Sequence, residues 1–181
     1  LQGLAADARY SLRARIIDNG RDVAEFTSPP FKGGDLKDGR IVFTEKWKPD
    51  KLWDTHTPQN MYQASLSLEG PGSKVLDTAL PIRFGFREFW IDGRDFYLNG
   101  TRIFLISVPL DNAQAGPAWA NYEGARETMS RLRTFGVNMV YTHNYGSEPG
   151  THISFEEIMK AADDLGMLLS LSVPSCVQYK W

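Results

Sequence analysis

Polar and apolar residues alternate from Tyr10 to Asp18, with Leu12, Ala14 and Ile16 on one side and Ser11, Arg13 and Arg15 on the other. That period of two predicts a half-buried β-strand. Asp18-Asn19-Gly20 turns the chain into Asp22 to Ser28, its expected hairpin partner, and Pro29-Pro30 ends the pair. Gly33-Gly34 marks a loop. Arg40 to Trp47, Met61 to Leu68 and Lys74 to Phe84 read as further strands, the last two joined through Gly70-Pro71-Gly72. Lys48 to Asn60, with Pro49 and Pro58, reads as a long irregular connection. Short strands at this spacing, without a helix among them, predict an antiparallel β-sandwich of immunoglobulin-like type.

The pattern changes across Phe84 to Leu110, where Asp92-Gly93 and Asn99-Gly100 are both hairpin signals. Ile103 to Val108 is nearly all apolar, the expectation for one strand buried on both faces. Asn121 is placed to cap a helix whose Tyr122, Ala125, Met129, Leu132 and Phe135 share a side, with Gly136 as its left-handed cap. Val137 to Thr142 is the next buried strand. Ser154 and Glu157 form a capping box, Ile153 and Ile158 a hydrophobic staple, Gly166 ends that helix, and Met167 to Val173 is a third strand. Repeated units of this kind need right-handed crossovers and a parallel sheet. The expected organisation is a linker over 1–9, an immunoglobulin-like sandwich over 10–92 and a β/α region over 93–181.

Composition narrows the partners. The 181 residues carry 20 Lys and Arg against 22 Asp and Glu, with no dense basic cluster, so neither nucleic acid nor an acidic membrane surface is an expected partner. No apolar run approaches the ~18 residues of a membrane span, and no charged-then-apolar leader opens the chain. The chain starts at Leu1 without a methionine and is expected to be a piece of a longer protein. Its single Cys176 excludes an internal disulfide and any multi-cysteine metal site. No phosphate-cradling glycine loop or serine-nucleophile elbow is present, and no cofactor is expected.

The joint Phe84-Gly85-Phe86-Arg87 with Phe96-Tyr97-Leu98-Asn99-Gly100 resembles that of glycoside hydrolase family 2, the group of β-galactosidases, β-glucuronidases and β-mannosidases. So do Gly136-Val137-Asn138-Met139-Val140 and Asp164-Leu165-Gly166-Met167-Leu168-Leu169, and Trp47, Pro58 and Tyr62 fall where that family has a W...P..LY element. The resemblance spans nearly the whole chain. It implies that the β/α region is the first three strands of a (β/α)8 TIM barrel, truncated here, and that the working protein is a β-galactosidase-like hydrolase of O-glycosyl bonds. A retaining mechanism uses two carboxyl groups about 5–5.5 Å apart. The resemblance places both after the fourth and seventh strands, beyond Trp181, so no catalytic residue is expected here and this piece alone is expected to be inactive.

Several motif positions depart from the family. Tyr141 stands where an Arg is usual, Asn144 where a His is, Gly146 where a Pro is, Pro109-Leu110-Asp111 replace Asn-Arg-His, and Ser172 stands where an acid often ends the strand. A changed substrate, an altered mechanism and lost activity all stay open.

In barrels of this class the chemistry sits at the C-terminal ends of the strands. The expected substrate-binding residues are Asp111, Asn112, Trp119, His143, Asn144, Tyr145, Ser172 and Tyr179, with Trp119 and Tyr145 able to stack on a sugar face. His143, Asp111 and Glu148 match no metal-ligand spacing, and no metal is expected. Trp47, Trp53 and Trp90 read as core or interdomain contacts. Three parallel strands cannot close a barrel, so Ile103, Phe104, Leu105, Val140, Leu168, Leu169 and Leu171 are expected to need the remaining strands as partners. The alternative, from a different class, is a non-catalytic carbohydrate-binding or scaffolding protein on the same frame.

Overall fold

A computed structural model describes residues 1–110, 121–143 and 155–172. The chain divides into two compact units, one of Leu1–Lys51 with Met61–Phe86 and one of Leu52–Asn60 with Arg87–Trp181.

The first unit is antiparallel β. Strand β1 (Arg9–Asp18) turns through Asn19 and Gly20, at φ +48° and +78°, into β2 (Arg21–Thr27). Positive φ at both loop positions is the type I′ turn, whose twist suits the flanking strands, and Asn-Gly tolerates it best. The other edge of β1 pairs with β4 (Tyr62–Glu69) from Ser11 opposite Glu69 to Ile17 opposite Gln63. Outside β4 lie β5 (Val75–Thr78) and β6 (Ile82–Phe84), while the short β3 (Phe31–Lys32) pairs with the start of β1. Lys74 to Phe84, expected as one strand, is therefore two, separated by Ala79, Leu80 and Pro81; a proline has no N–H for the ladder.

Tyr10, Leu12 and Leu68 on the sheet pack with Phe31, and Leu4, Ala8, Leu36, Ile41 and Phe43 complete this core. Arg40 to Trp47 is not a strand. Ile41 and Phe43 pack inward while Val42 is 83% exposed, so the alternation is present, but apart from an isolated bridge from Lys37 to Arg40 no ladder forms. At the far end of β4 Tyr62 is buried among Trp47, Phe84 and Phe86 in edge-on or tilted contacts. Its hydroxyl donates to the Asp50 carboxylate, and Lys51 Nζ lies 4.8 Å from its ring centroid.

The second unit begins with a meander, β7 (Phe89–Asp92), β8 (Asp95–Leu98) and β9 (Thr101–Ile103). Asn99 and Gly100 make another type I′ turn, at φ +51° and +84°. The first hairpin turns instead on Gly93-Arg94, because Asp92 already pairs with Asp95. Three parallel strands follow in the order β10 (Ser107–Pro109), β11 (Met139–His143) and β12 (Leu168–Ser172). Helix α1 (Tyr122–Thr134) leads into β11, and α2 (Phe155–Leu165) leads into β12. Asn121 caps α1 by accepting from the Gly124 N–H at 2.9 Å, and Gly136 and Gly166 follow the two helices at φ +81° and +69°. Ser154 and Ile153 lie outside the described residues.

Ala125 and Met129 of α1, Ile158, Ala161 and Ala162 of α2, and Val137, Val140 and Met167 form one buried cluster, so both helices cover one face of the parallel sheet. Phe135, expected on the buried side of α1, is 81% exposed. It is the C-cap residue, where φ/ψ of −94° and 9° have already left the helix and the side chain leaves its stripe. Ile103 to Val108 is not one strand either. Ile103 pairs antiparallel with Phe96, Ser107 starts the parallel ladder opposite Met139, and Phe104 between them is 80% exposed.

Candidate functional site

The C-terminal ends of β10, β11 and β12 form one row. Pro109 is the register partner of Tyr141, and Tyr141 of Ser170; Thr142 then faces Leu171, and His143 faces Ser172. The Leu110 N–H donates to the Tyr141 carbonyl at 2.8 Å, carrying the pairing one residue past β10. The strands run this way because Val108, Val140 and Leu169 supply an apolar row to the helices. Neighbouring strands are about 4.8 Å apart, so His143 and Ser172 are adjacent at the sheet's rim.

Of the expected binding residues, the structure brings these two together. Asp111 and Asn112, which follow Leu110, and Asn144 and Tyr145, which follow His143, lie outside the described residues, as do Trp119 and Tyr179. Among the described residues no group of three His, Cys, Asp or Glu could hold a metal ion. Two described acids of this unit stand at the opposite end of the sheet, on the last turn of α2, and both are engaged. Asp163 pairs with Arg87 at 2.8 Å, and Asp164 accepts from the Tyr122 hydroxyl at 2.6 Å. That hydrogen bond, with partial burial, raises the Tyr122 pKa, so the hydroxyl stays protonated as the donor.

A concavity of about 550 Å³ elsewhere in this unit is bordered by Phe89, Phe96, Leu105, Met139, Met159 and Leu168, with the Arg87 to Asp163 pair among its few polar groups. Its apolar lining has little with which to orient a sugar, and its character is that of a packing surface. Beside it β12 has a ladder partner only on its β11 side among the described residues. Of the apolar residues expected to need further strands, Val140 is wholly buried by the helices, whereas Phe104 and Leu171 are exposed.

Trp53, expected as a core or interdomain contact, is a core residue. It sits in the irregular Lys48 to Asn60 connection yet is fully buried, and its Nε1–H donates to the Asp163 carbonyl at 2.8 Å. A tryptophan beside a leucine in an otherwise polar loop was the available signal. Trp47 is half-buried, and Trp90 is exposed and stacked on Tyr97 with ring centroids 5.3 Å apart.

No family model matches the chain. A sequence relative, the "Putative beta-glucuronidase" of Formosa agariphila, is 34% identical over 134 residues, covering 71% of this chain and 15% of that protein. Among solved structures, the β-glucuronidase of Ruminococcus gnavus in complex with D-glucuronic acid superposes with a TM-score of 0.60 at 18% identity, over 91% of this chain and 25% of that one. The family 2 β-galacturonidase of Eisenbergiella tayi bound to galacturonate gives 0.64 at 18% identity, over 92% of this chain and 28% of that one. The chain thus spans between about a seventh and somewhat over a quarter of the length of these relatives, and the two structures speak to the fold. With the joint motif and the strand order already described, the sequence relative and the shared fold make the chain a divergent relative within glycoside hydrolase family 2.

Proposed function

We propose that the chain is the sandwich and the opening of the catalytic barrel of a glycoside hydrolase that cleaves β-linked uronides. The observation that carries this reading is the parallel row of β10, β11 and β12, each later strand preceded by a helix on the same face, in a chain akin to family 2 enzymes. In a (β/α)8 barrel such strands are neighbours in chain order, and substrate meets their C-terminal ends. His143 and Ser172, with Asp111, Asn112, Trp119, Asn144, Tyr145 and Tyr179 after the strand ends, then line part of a sugar pocket. The acid and the nucleophile of a retaining mechanism come from later strands, not from these residues. The edge of β12 that has no ladder partner among the described residues, and the apolar concavity beside it, take the next β/α unit.

A uronide is preferred to the galactoside that the family resemblance alone suggested, because the three relatives named above are described as glucuronidases or a galacturonidase. The test is kinetic. In a longer protein that carries this chain and the later strands, His143→Ala and Ser172→Ala should each lower kcat/KM on an aryl β-uronide at least tenfold while the unfolding midpoint stays put. Unchanged kinetics in both variants would remove this end of the sheet from the substrate site.

A further inference from the structure

Segment Leu52–Asn60 leaves the sequence of the first unit and belongs to the second. Its contacts there are unusually dense for a stretch with no regular structure. Trp53 is completely buried, the Arg87 guanidinium lies 4.5 Å from its ring centroid, and Arg87 is held in place by Asp163. Asn99, in the second hairpin turn, donates through Nδ2 to the Trp53 carbonyl at 2.8 Å and to Asp54 Oδ2 at 3.2 Å. Arg133 donates to the Thr55 carbonyl at 3.1 Å and also to the carbonyls of Leu165 and Gly166. A guanidinium at the end of a helix meets the carbonyls that the helix leaves unpaired. Gly166 has no Cβ, which lets the Thr55 backbone approach; a Cβ there would fall on the Thr55 carbonyl.

We infer that Leu52–Asn60 is a strap, seated in a receptor made by Arg87, Asn99, Arg133, Asp163 and Gly166, that clamps the N-terminal ends of β11 and β12. Among the described residues, the groups it touches on the sheet side precede strands: Arg133 comes before Met139, and Asp163 to Gly166 come before Leu168. The strap therefore works at the end opposite His143 and Ser172. Its occupant is defined chemically by an indole for the cation and the carbonyl of Asp163, a carboxylate for the Asn99 amide, and an unhindered backbone carbonyl for Arg133. The second unit is then complete only when sequence from the middle of the first unit is bound to it.

Amide hydrogen exchange on the whole chain tests this. Trp53→Ala should speed exchange over Asp163 to Leu171 at least tenfold while β1 and the middle of β4 keep their protection. Asn99→Gly, which preserves the positive-φ turn but deletes the amide bonds, should give the same regional pattern at smaller amplitude. Unchanged exchange over Asp163 to Leu171 in both variants would overturn the strap. So would a loss spread evenly over β1 and β4 in Asn99→Gly, the milder change.

Discussion

Asn138 pairs with Ile106 as one strand residue pairs with another, but one of its two hydrogen bonds comes from the side chain. Its backbone N–H donates to the Ile106 carbonyl at 3.1 Å, and its Oδ1 accepts from the Ile106 N–H at 2.9 Å. The amide's other end, Nδ2, donates to the Phe104 carbonyl at 2.8 Å. One side chain thus bridges the gap where the chain leaves the antiparallel meander and enters the parallel sheet. Asn138→Ala frees two backbone groups that water can reach, and should cost about 1 kcal/mol in urea unfolding. Asn138→Asp keeps the acceptor and loses the donor, and should cost less than the alanine variant at neutral pH.

Gly100 and Gly166 separate two reasons for glycine. Both have φ in the left-handed region, +84° and +69°, but a Cβ at Gly100 meets open space, whereas at Gly166 it meets Thr55 and, at 2.7 Å, Arg133 Nη1. Gly100→Ala should cost about 1–2 kcal/mol from backbone strain alone. Gly166→Ala should cost at least ~2 kcal/mol more, because overpacking adds to the strain. Equal losses in thermal denaturation would mean that the approach of Thr55 is not restrictive.

Much of this was legible in local sequence. Asn19-Gly20 and Asn99-Gly100 demand positive φ, Asn121 offers a cap, and Gly136 and Gly166 terminate helices; each depends on neighbours within a few positions. Ile103 to Val108 misled because its break is made by Asn138, some thirty residues away, and apolar content alone does not count strands. Arg40 to Trp47 misled because alternation reports which side chains face inward, not whether a ladder partner exists. Trp53 was placed in its loop, but the loop's allegiance is set by Asn99, Arg133 and Asp163, far along the chain. For the site, strands expected to end at Thr142 and Val173 end at His143 and Ser172, each one residue away, while their mutual register was not readable from the sequence.

Tyr62 makes stability sensitive to alkali. Burial, and then the hydrogen bond to Asp50, push its pKa from 10.0 to about 12, while that same bond, donated by Tyr62, holds the Asp50 carboxyl below its usual value. A raised folded pKa favours the protonated phenol in the native state. Its contribution is therefore complete below pH 10 and is lost as pH rises through about 12. The Asp50 contribution runs the other way, present above the ordinary carboxylate pKa and lost on acidification through its lowered value. Tyr62→Phe should flatten the loss of stability between pH 10 and 12 in a denaturant series, and an unchanged alkaline limb would assign that loss elsewhere.

Phe135 and Met129 test the exposed and buried sides of α1. Met129→Ala removes a wholly buried side chain from the cluster that joins both helices to the sheet, and should cost about 2–5 kcal/mol. Phe135→Ser should change stability by no more than about 0.5 kcal/mol, as an exposed surface substitution does. A cost for Phe135→Ser as large as that for Met129→Ala would put its ring in a core.

The proposed activity, hydrolysis of β-uronides by the protein to which this chain belongs, is open to direct assay. The most direct measurement is release of nitrophenol from p-nitrophenyl β-D-glucuronide, β-D-galacturonide and β-D-galactoside, by a protein extending past Trp181 through the later strands and by the 181-residue chain. The longer protein should turn over a uronide, at least tenfold above the galactoside in kcat/KM, and the shorter chain none of the three. No turnover of any of the three by a folded longer protein would contradict the proposal, as would hydrolysis by the 181 residues alone.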